Sequence, residues 1–314
     1  MSRAPLATKR PRPYPSHDPL RPQNPLVSHK WVAGGLLAML LSAIVLCYGC
    51  FCLLFWQGQW QLLFRPSHLV ARTPASAGLA FSGLRFGATE TGALPLDGWW
   101  VPAAADVPAA QLTVLYLHGP TGSLSDALPA IQALHGVGVN VFAFDPRGFG
   151  RSDWASPSER RWNEDADAAF RFLTQTRHLD PHRLILCGSG LGASIAGELA
   201  SRQTSVAALI LDNPQPPTLP LLERDHRTQL LPVRLLARDR FDPAALLAAS
   251  SIPKLFLAPA TSSKTGVPFA ASAAQPKEIV SIPAAMAGES LLASPEAQAA
   301  VRTFLHRLLP PVSP

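Results

Sequence analysis

Cysteine is scarce in this sequence, and its placement limits what it can do. Only four of the 314 residues are cysteines, and Cys47, Cys50 and Cys52 lie inside one long apolar segment. Cys187 is the only cysteine outside that segment, so a disulfide within the rest of the chain is excluded. Because Cys187 ends an apolar run, we expect it to be an inert thiol in the core.

Charge is absent from residues 31–56, and this absence predicts a membrane-spanning helix. The 26 residues exceed the roughly 20 that a helix needs to cross a hydrocarbon core of about 30 Å. No small-residue cleavage site follows them, which favours an uncleaved transmembrane signal anchor over a cleaved signal peptide.

Acidic residues are nearly missing from the first thirty positions, which contain six lysines or arginines, seven prolines and Asp18 alone. This composition predicts a disordered basic tail over residues 1–30. The positive-inside bias places the tail in the cytoplasm and the folded domain outside, in a single-pass protein of the cell membrane. The bilayer is therefore the partner predicted for residues 31–56.

The remainder of the chain is close to neutral. The tail accounts for five of the six units of formal net charge. No basic stripe remains to bind nucleic acid, so we predict no nucleic-acid partner.

Beyond the membrane segment, residues 57–78 are predicted to be a juxtamembrane linker and residues 79–314 a single α/β domain. Buried apolar runs alternate with helical patterns, which indicates a doubly wound, mostly parallel sheet; the runs are 112–117, 140–144, 184–187 and 207–211. Residues 215–250 are more irregular and are a candidate cap insertion.

Two helix starts are clearly marked. Ser156 is predicted to cap a helix in which Pro157 comes first and Glu159 closes a capping box. Ser294 followed by Pro295 predicts the start of the last helix.

Three motifs follow three successive predicted strands. They are His118-Gly119-Pro120-Thr121-Gly122, Asp145 to Ser152, and Gly188-Ser189-Gly190-Leu191-Gly192. The last lies where serine hydrolases place the nucleophile elbow G-x-S-x-G on a strand-to-helix turn. Together the motifs resemble the α/β-hydrolase superfamily. Arg65-Pro66 and the segment Asp97 to Trp100 make the chain similar to membrane-anchored, serine-hydrolase-like members related to esterases, lipases and peptidases.

The resemblance implies an α/β-hydrolase fold, but four catalytic features do not carry over. Gly190 replaces the nucleophilic serine, and Pro120 has no N–H for the oxyanion hole, which leaves only that of Leu191. The segment 258–264, where the acid is expected, contains no carboxylate, and 284–290 contains no histidine for the base.

The sequence therefore predicts a pseudoenzyme that binds an unknown small molecule or protein through the crevice of the fold, whose floor Gly190 is expected to widen. Whether any enzymatic activity is retained is left open, and no catalytic residue is assigned. His118 is expected to support its loop, and Asp212 to be an N-cap or loop carboxylate.

Two alternatives stay open. One is an active serine hydrolase of esters, thioesters or peptides with an unassigned triad, for which Ser189 is the candidate nucleophile. The other is a dinucleotide-binding protein, because Gly188-x-Gly190-x-x-Ala193 fits the G-x-G-x-x-A pattern and Asp212 follows about 20 residues on. No cofactor and no metal site are predicted.

Overall fold

The computed structural model describes residues 28–87, 95–260, 268–283 and 290–309. The chain divides into two compact units, Met1–Phe51 and Cys52–Pro314. Nearly all of the predicted disordered tail lies outside the described residues.

Helix α1, His29–Gly58, covers the predicted membrane segment. Its mean hydropathy reaches 2.5 over 18 residues, so the helix is long and apolar enough to cross a membrane. Its last residues, from Cys52, belong to the second unit.

The second unit alternates strands and helices. The described helices after α1 are α2 Trp60–Leu63, α3 Leu128–Gly136, α4 Glu159–Arg171, α5 Leu191–Arg202, α6 Thr218–Arg224, α7 Val233–Leu236, α8 Ala244–Ala249, α9 Pro268–Ser272 and α10 Pro295–His306. The described strands are β1 Arg65–Pro66, β2 Ser82–Phe86, β3 Leu96–Val101, β4 Thr113–Leu117, β5 Thr121–Gly122, β6 Asn140–Asp145, β7 Leu184–Ser189, β8 Ala208–Asp212, β9 Lys254–Pro259 and β10 Lys277–Ile282.

Eight of these strands form one sheet in the order β10-β9-β8-β7-β4-β6-β3-β2. Strand β3 runs antiparallel to both neighbours, and every other pair is parallel. This confirms the predicted doubly wound, mostly parallel sheet, and the antiparallel strands β2 and β3 form one of its edges. Strands β4, β6 and β7 are adjacent, so the motifs that follow them meet at one end of the sheet.

The sheet is buried on both faces because its central strands are apolar at successive positions. Leu115 and Leu186 face a core that includes α4 and α5, whereas Val114 and Ile185 face a core that includes α3 and α10. Cys187 lies in the second core with no exposed surface, as expected for an inert thiol.

The segment predicted as a linker contains regular structure in its first part. Arg65–Pro66 (β1) pairs in parallel with Thr121–Gly122 (β5) as a separate two-stranded sheet. The preceding Phe64 is 2% exposed and packs edge-on against several aromatic rings. Residues 64–66 are therefore part of the folded unit.

The prediction of the α4 start was wrong by two residues. Ser158 is the N-cap, and its hydroxyl accepts from the N–H of Arg161. The Glu159 carboxylate does not close a capping box, because its oxygens accept from the N–H groups of Arg240 and Phe241. The Glu159 carboxylate thus binds the backbone of the 215–250 segment, whereas the local pattern predicted that it would bind the backbone at the start of α4. The Ser294 cap of α10 is confirmed.

Candidate functional site

The strand-to-helix turn after β7 keeps the shape of an elbow. Gly190 separates β7 from α5 and has φ +60° and ψ −120°, a conformation that side-chain-bearing residues rarely adopt. On either side the backbones approach closely: a Cβ on Gly188 would lie 2.2 Å from the Gly192 carbonyl oxygen, and one on Gly192 would lie 2.3 Å from that of His118. The glycines at 188 and 192 are therefore required by packing.

Position 190 is different, because a Cβ fits there. It would lie 3.4 Å from Pro120 Cδ and 3.7 Å from Gln215 Nε2, which are ordinary contacts. Pro120 and Gln215 are thus the side chains nearest to the space that a side chain at 190 would use. The expectation that Gly190 widens the floor of a crevice stays a prediction.

The loop after β4 lacks a donor at the position where an oxyanion hole requires one. Pro120 has no N–H, and its carbonyl oxygen accepts from the N–H of Arg65 at 2.9 Å. Thr121 and Gly122 are held by pairing with β1. The loop is therefore fixed by the segment that follows the membrane helix, and only the Leu191 N–H of the predicted pair of donors exists.

His118 is buried in the core, where its ring contacts Gly119, Asp145 and Phe149. It is 2% exposed, and its ring lies edge-on to Phe149 with 5.3 Å between centroids. Its Nδ1 donates to the Gly119 carbonyl oxygen at 2.7 Å, and Nε2 lies 3.3 Å from Asp145 Oδ1. The other contact of that oxygen is the Leu124 N–H at 2.9 Å. His118 and Asp145 thus support the loop after β4, as the sequence predicted for His118.

Ser189 belongs to a buried polar cluster at the ends of three strands. Its hydroxyl donates to Asp212 Oδ2 at 2.5 Å. The hydroxyl of Tyr116 lies 3.0 Å from Ser189 Oγ and donates to it, because the serine proton is already used. Ser290 donates to the same Asp212 oxygen at 2.6 Å, and the Leu291 N–H donates to Oδ1 at 2.9 Å.

Asp212 is the last residue of β8 and the centre of this cluster, so the expectation of an N-cap or loop carboxylate was wrong. Helix α6 begins after Pro217, and no side-chain oxygen caps it. Burial raises the pKa of Asp212 to about 6, while the hydrogen bonds from Ser189, Ser290 and Leu291 act in the opposite direction. The aspartate joins β7, β8 and the segment before α10.

The contacts of Ser189 differ from those of the nucleophile in a serine hydrolase. Ser189 is 5% exposed, and its hydroxyl is held directly by a carboxylate with no imidazole between them. A carboxylate with a pKa near 6 is a weak base for a serine hydroxyl, and serine hydrolases place a histidine at this point. The arrangement is that of a structural hydrogen-bond network.

The same geometry counts against dinucleotide binding through this turn. The pattern needs a carboxylate that can reach a ribose hydroxyl, but Asp212 has no exposed surface and its oxygens are occupied. The pattern at Gly188 to Ala193 is explained by the packing of the elbow.

The positions expected for the acid and the base lie mostly outside the described residues. Ala258 to Ala260 are described, whereas 261–267 and 284–289 are not. The sequence itself has no carboxylate in 258–264 and no histidine in 284–290. Among the described residues, no group of three His, Cys, Asp or Glu side chains is placed to hold a metal ion.

Comparison with known proteins identifies the family. The sequence profile described as serine aminopeptidase, S33, matches residues 108–228. An uncharacterized protein of Mycobacterium tuberculosis is 32% identical over 237 residues, which are 73% of this chain and 80% of that protein. The chain belongs to the α/β-hydrolase superfamily.

Solved structures agree with this fold. An esterase of Pyrococcus furiosus, Pf2001, superposes with a TM-score of 0.60 at 20% identity over 79% of this chain and 99% of that one. A serine hydrolase without lid from Xanthomonas campestris gives 0.52 at 19% identity over 74% and 97%. At such low identity these α/β-hydrolases show the fold alone.

Three residues around the elbow were not found from the sequence. Tyr116 and Ser290 bind the Ser189–Asp212 pair, and Gln215 lies against Gly190. Tyr116 and Thr113 are the two polar side chains in the otherwise apolar strand β4, and that signal was available. Ser290 and Gln215 are separated from the elbow by long stretches of chain, so no local pattern marks them.

Proposed function

We propose that this protein is a membrane-anchored α/β-hydrolase-fold protein without serine-hydrolase activity, which acts by binding a small molecule or a protein. The observation that carries the proposal is the turn at position 190, where the backbone of the elbow is kept, the nucleophile is a glycine and Pro120 lies against it. The fold is thus retained at the point where its usual chemistry is lost.

Three further features support the loss of activity. Pro120 removes an oxyanion donor, and the sequence has neither a carboxylate in 258–264 nor a histidine in 284–290. The members of a catalytic triad act as a unit, and removal of one costs orders of magnitude in rate. A chain without all of these groups has no route to efficient acyl transfer.

Membrane anchoring through residues 31–56 is the second part of the proposal. It is supported by the length and hydropathy of α1 and by the basic residues that precede it. The positive-inside bias favours a cytoplasmic N-terminus and an extracytoplasmic folded unit.

The alternative is an active hydrolase of esters, thioesters or peptides. It is favoured by the match to the serine aminopeptidase profile over residues 108–228. In that case Ser189 is the serine nearest to the expected position, and its hydrogen bond to Asp212 would have to be exchanged for a bond to a base outside the described residues.

Turnover of activated esters by the purified full-length chain separates these functions. We expect hydrolysis of p-nitrophenyl acetate and butyrate no faster than that of the Ser189→Ala variant, after correction for the buffer blank. Hydrolysis by the parent chain that Ser189→Ala abolishes, with unchanged melting temperature, would establish the alternative.

A further inference from the structure

Apolar side chains project into solvent from the segment that contains α6 and α7. Leu221 is 44% exposed, Leu230 80% and Leu235 84%. Exposed leucines concentrated in one short segment are more informative than single ones scattered over a surface. We call these three residues the leucine surface. They lie within 15 positions of one another, in a segment that belongs to the second unit.

The opposite side of the same segment packs on the end of helix α1. Phe55 forms a small apolar core with four of its residues, which are Leu222, Leu231, Val233 and Ala237. The buried leucine and valine alternate with the exposed leucines along the chain. Some side chains of this segment thus contact the end of α1, and the exposed leucines beside them face the solvent.

Polar contacts fix this arrangement. Gln59 has no exposed surface, and its side chain donates to the Leu236 carbonyl oxygen at 3.1 Å and accepts from the Arg238 N–H at 2.9 Å. The Arg238 guanidinium lies 4.4 Å from the centroid of the Trp56 ring. The segment is therefore attached to the helix end by specific groups as well as by apolar packing.

This attachment sets the depth of the segment if α1 spans a membrane. Phe55 and Trp56 are the last two residues of the predicted membrane segment 31–56, where the polar residues Gln57 and Gln59 begin, and a tryptophan at such a position is typical of the interface between headgroups and hydrocarbon. Residues that touch Phe55 must lie at the same level. Leu230 and Leu235 flank Leu231 and Val233, so they reach the level of the headgroups and the upper acyl chains.

Charge on the segment suits the same location. Residues 218–240 contain five arginines and three acidic residues. Arg227 and Arg234 pair with Asp225 and Glu223, which leaves an excess of positive charge close to the leucines. Exposed leucines together with arginines are the composition of elements that lie in a membrane interface.

We propose that residues 218–238 form a second membrane contact, in which the leucine surface inserts into a phospholipid bilayer and the neighbouring arginines lie at lipid phosphates. This inference rests on the membrane anchoring proposed above. The contact would hold the folded unit against the bilayer surface at two points, the helix end and the segment that follows β8.

Fluorescence quenching by labelled lipid tests the contact in the full-length chain. Single cysteines carry the environment-sensitive dye NBD at Leu235→Cys, at Leu230→Cys, at the native Cys47 or at Ile279→Cys, with the other cysteines of α1 changed to alanine. Cys187 is buried and stays in place. The chains are placed in nanodiscs of phosphatidylcholine and phosphatidylglycerol that contain nitroxide-labelled phospholipid.

Ile279 is the matched control, because it is an exposed apolar residue, 49% accessible, on the edge strand β10. We expect NBD at 230 and 235 to be quenched about twofold or more relative to NBD at 279, with emission shifted to shorter wavelength. Leu235→Glu should reduce the quenching at 230, whereas Ile279→Glu should leave it unchanged.

The dye at Cys47 reports the anchor separately. Quenching at 47 together with values at 230 and 235 equal to that at 279 would overturn the second contact and leave the anchor standing. No quenching at 47 would overturn the anchor and this inference together. Unquenched dyes at 230 and 235 with concentration-dependent self-association would assign the leucine surface to contact with protein.

Discussion

At position 190 the backbone adopts a conformation that glycine tolerates and that would strain a residue with a side chain. Neighbouring glycines are fixed by close backbone approaches, but a Cβ at 190 meets only ordinary contacts. Packing against neighbouring atoms therefore does not explain why position 190 is a glycine. The glycine is a local change in an otherwise intact elbow.

The variant Gly190→Ser is expected to fold and to remain inactive. The positive φ costs a side-chain-bearing residue about 1–3 kcal/mol, so a modest drop in melting temperature is expected. Ester turnover should stay at background, because neither a base nor a complete oxyanion hole is supplied. Thermal unfolding and an ester assay check the two parts.

Gly192→Ala is the matched control for this variant. Its Cβ would lie 2.3 Å from the His118 carbonyl oxygen, so the backbone must move and a far larger loss of stability is expected. A Gly192→Ala chain as stable as Gly190→Ser would show that the elbow is not packed as described. Ester turnover by Gly190→Ser would show that a base is present.

The buried carboxylate of Asp212 makes stability depend on pH. Its pKa is raised by burial to about 6, above the roughly 3.9 of an exposed aspartate. The folded state therefore binds more protons than the unfolded state between these values, and the contribution to stability is largest below pH 4 and is lost as pH rises through 6. We expect Asp212→Asn to reduce the fall in stability between about pH 4 and 6, by up to about 1.4 kcal/mol per pH unit.

Urea unfolding of the parent chain and of Asp212→Asn at several pH values measures this difference. The buried carboxyl of Asp165, whose pKa is also raised to about 6, contributes a similar slope that the variant does not alter. Parallel curves for the two chains would contradict an Asp212 pKa near 6.

Single residues were predicted well where one side chain decides the chemistry. The absence of a hydroxyl at 190 and of an N–H at 120 can be stated from residue type alone. The role of Asp212 could not, because it depends on Ser290, which is 78 positions away along the chain and is brought close by the sheet.

At the level of elements, the segment between the membrane helix and the sheet is part of the folded unit. Phe64 packs on Trp162 with 5.4 Å between ring centroids and on Phe241 at 5.8 Å. Strand β1 follows directly and pairs with the loop after β4. The membrane-proximal chain and the elbow are thus linked by one strand pair.

Phe64→Ala is expected to destabilise the folded unit by about 3–5 kcal/mol, because a buried aromatic ring is removed without replacement. Leu69→Ala, at a residue 70% exposed, is the control and should change stability by less than about 0.5 kcal/mol. Denaturant unfolding measures both. Equal losses of stability in the two variants would show that residues 57–78 are a linker and not part of the folded unit.

The limits of prediction at this scale have a physical cause. Buried strands such as β4 and β7 are apolar throughout, so periodicity reveals them. Strand β1 has two residues and is defined by its partner, and the α4 cap moved because Glu159 bonds to Arg240 and Phe241, more than 80 positions away. A local sequence pattern cannot reveal hydrogen-bond partners that are this far away along the chain.

For the whole molecule, the sequence predicted the fold because three motifs in the right order on a parallel sheet are specific in combination. Function did not follow from the fold, since a shared architecture hosts many activities. The helix α1 is long and apolar enough to cross a membrane, and the proposed anchoring rests on it.

Membrane attachment is expected to depend on the first unit. The full-length chain should stay in the membrane pellet after alkaline carbonate extraction, since a spanning helix is inserted nearly irreversibly. Deletion of residues 1–51 should yield a chain that carbonate releases. Release of the full-length chain would contradict a spanning α1.

The central claim, that the elbow is catalytically silent, is tested most directly with a fluorophosphonate probe on the full-length chain in detergent, with any adduct mapped by mass spectrometry. The probe reacts only with an activated serine, so the account predicts no adduct on the folded protein, either in the parent or in Ser189→Ala. A stoichiometric adduct on Ser189 that is lost in Ser189→Ala would contradict it and show that the chain is an active hydrolase.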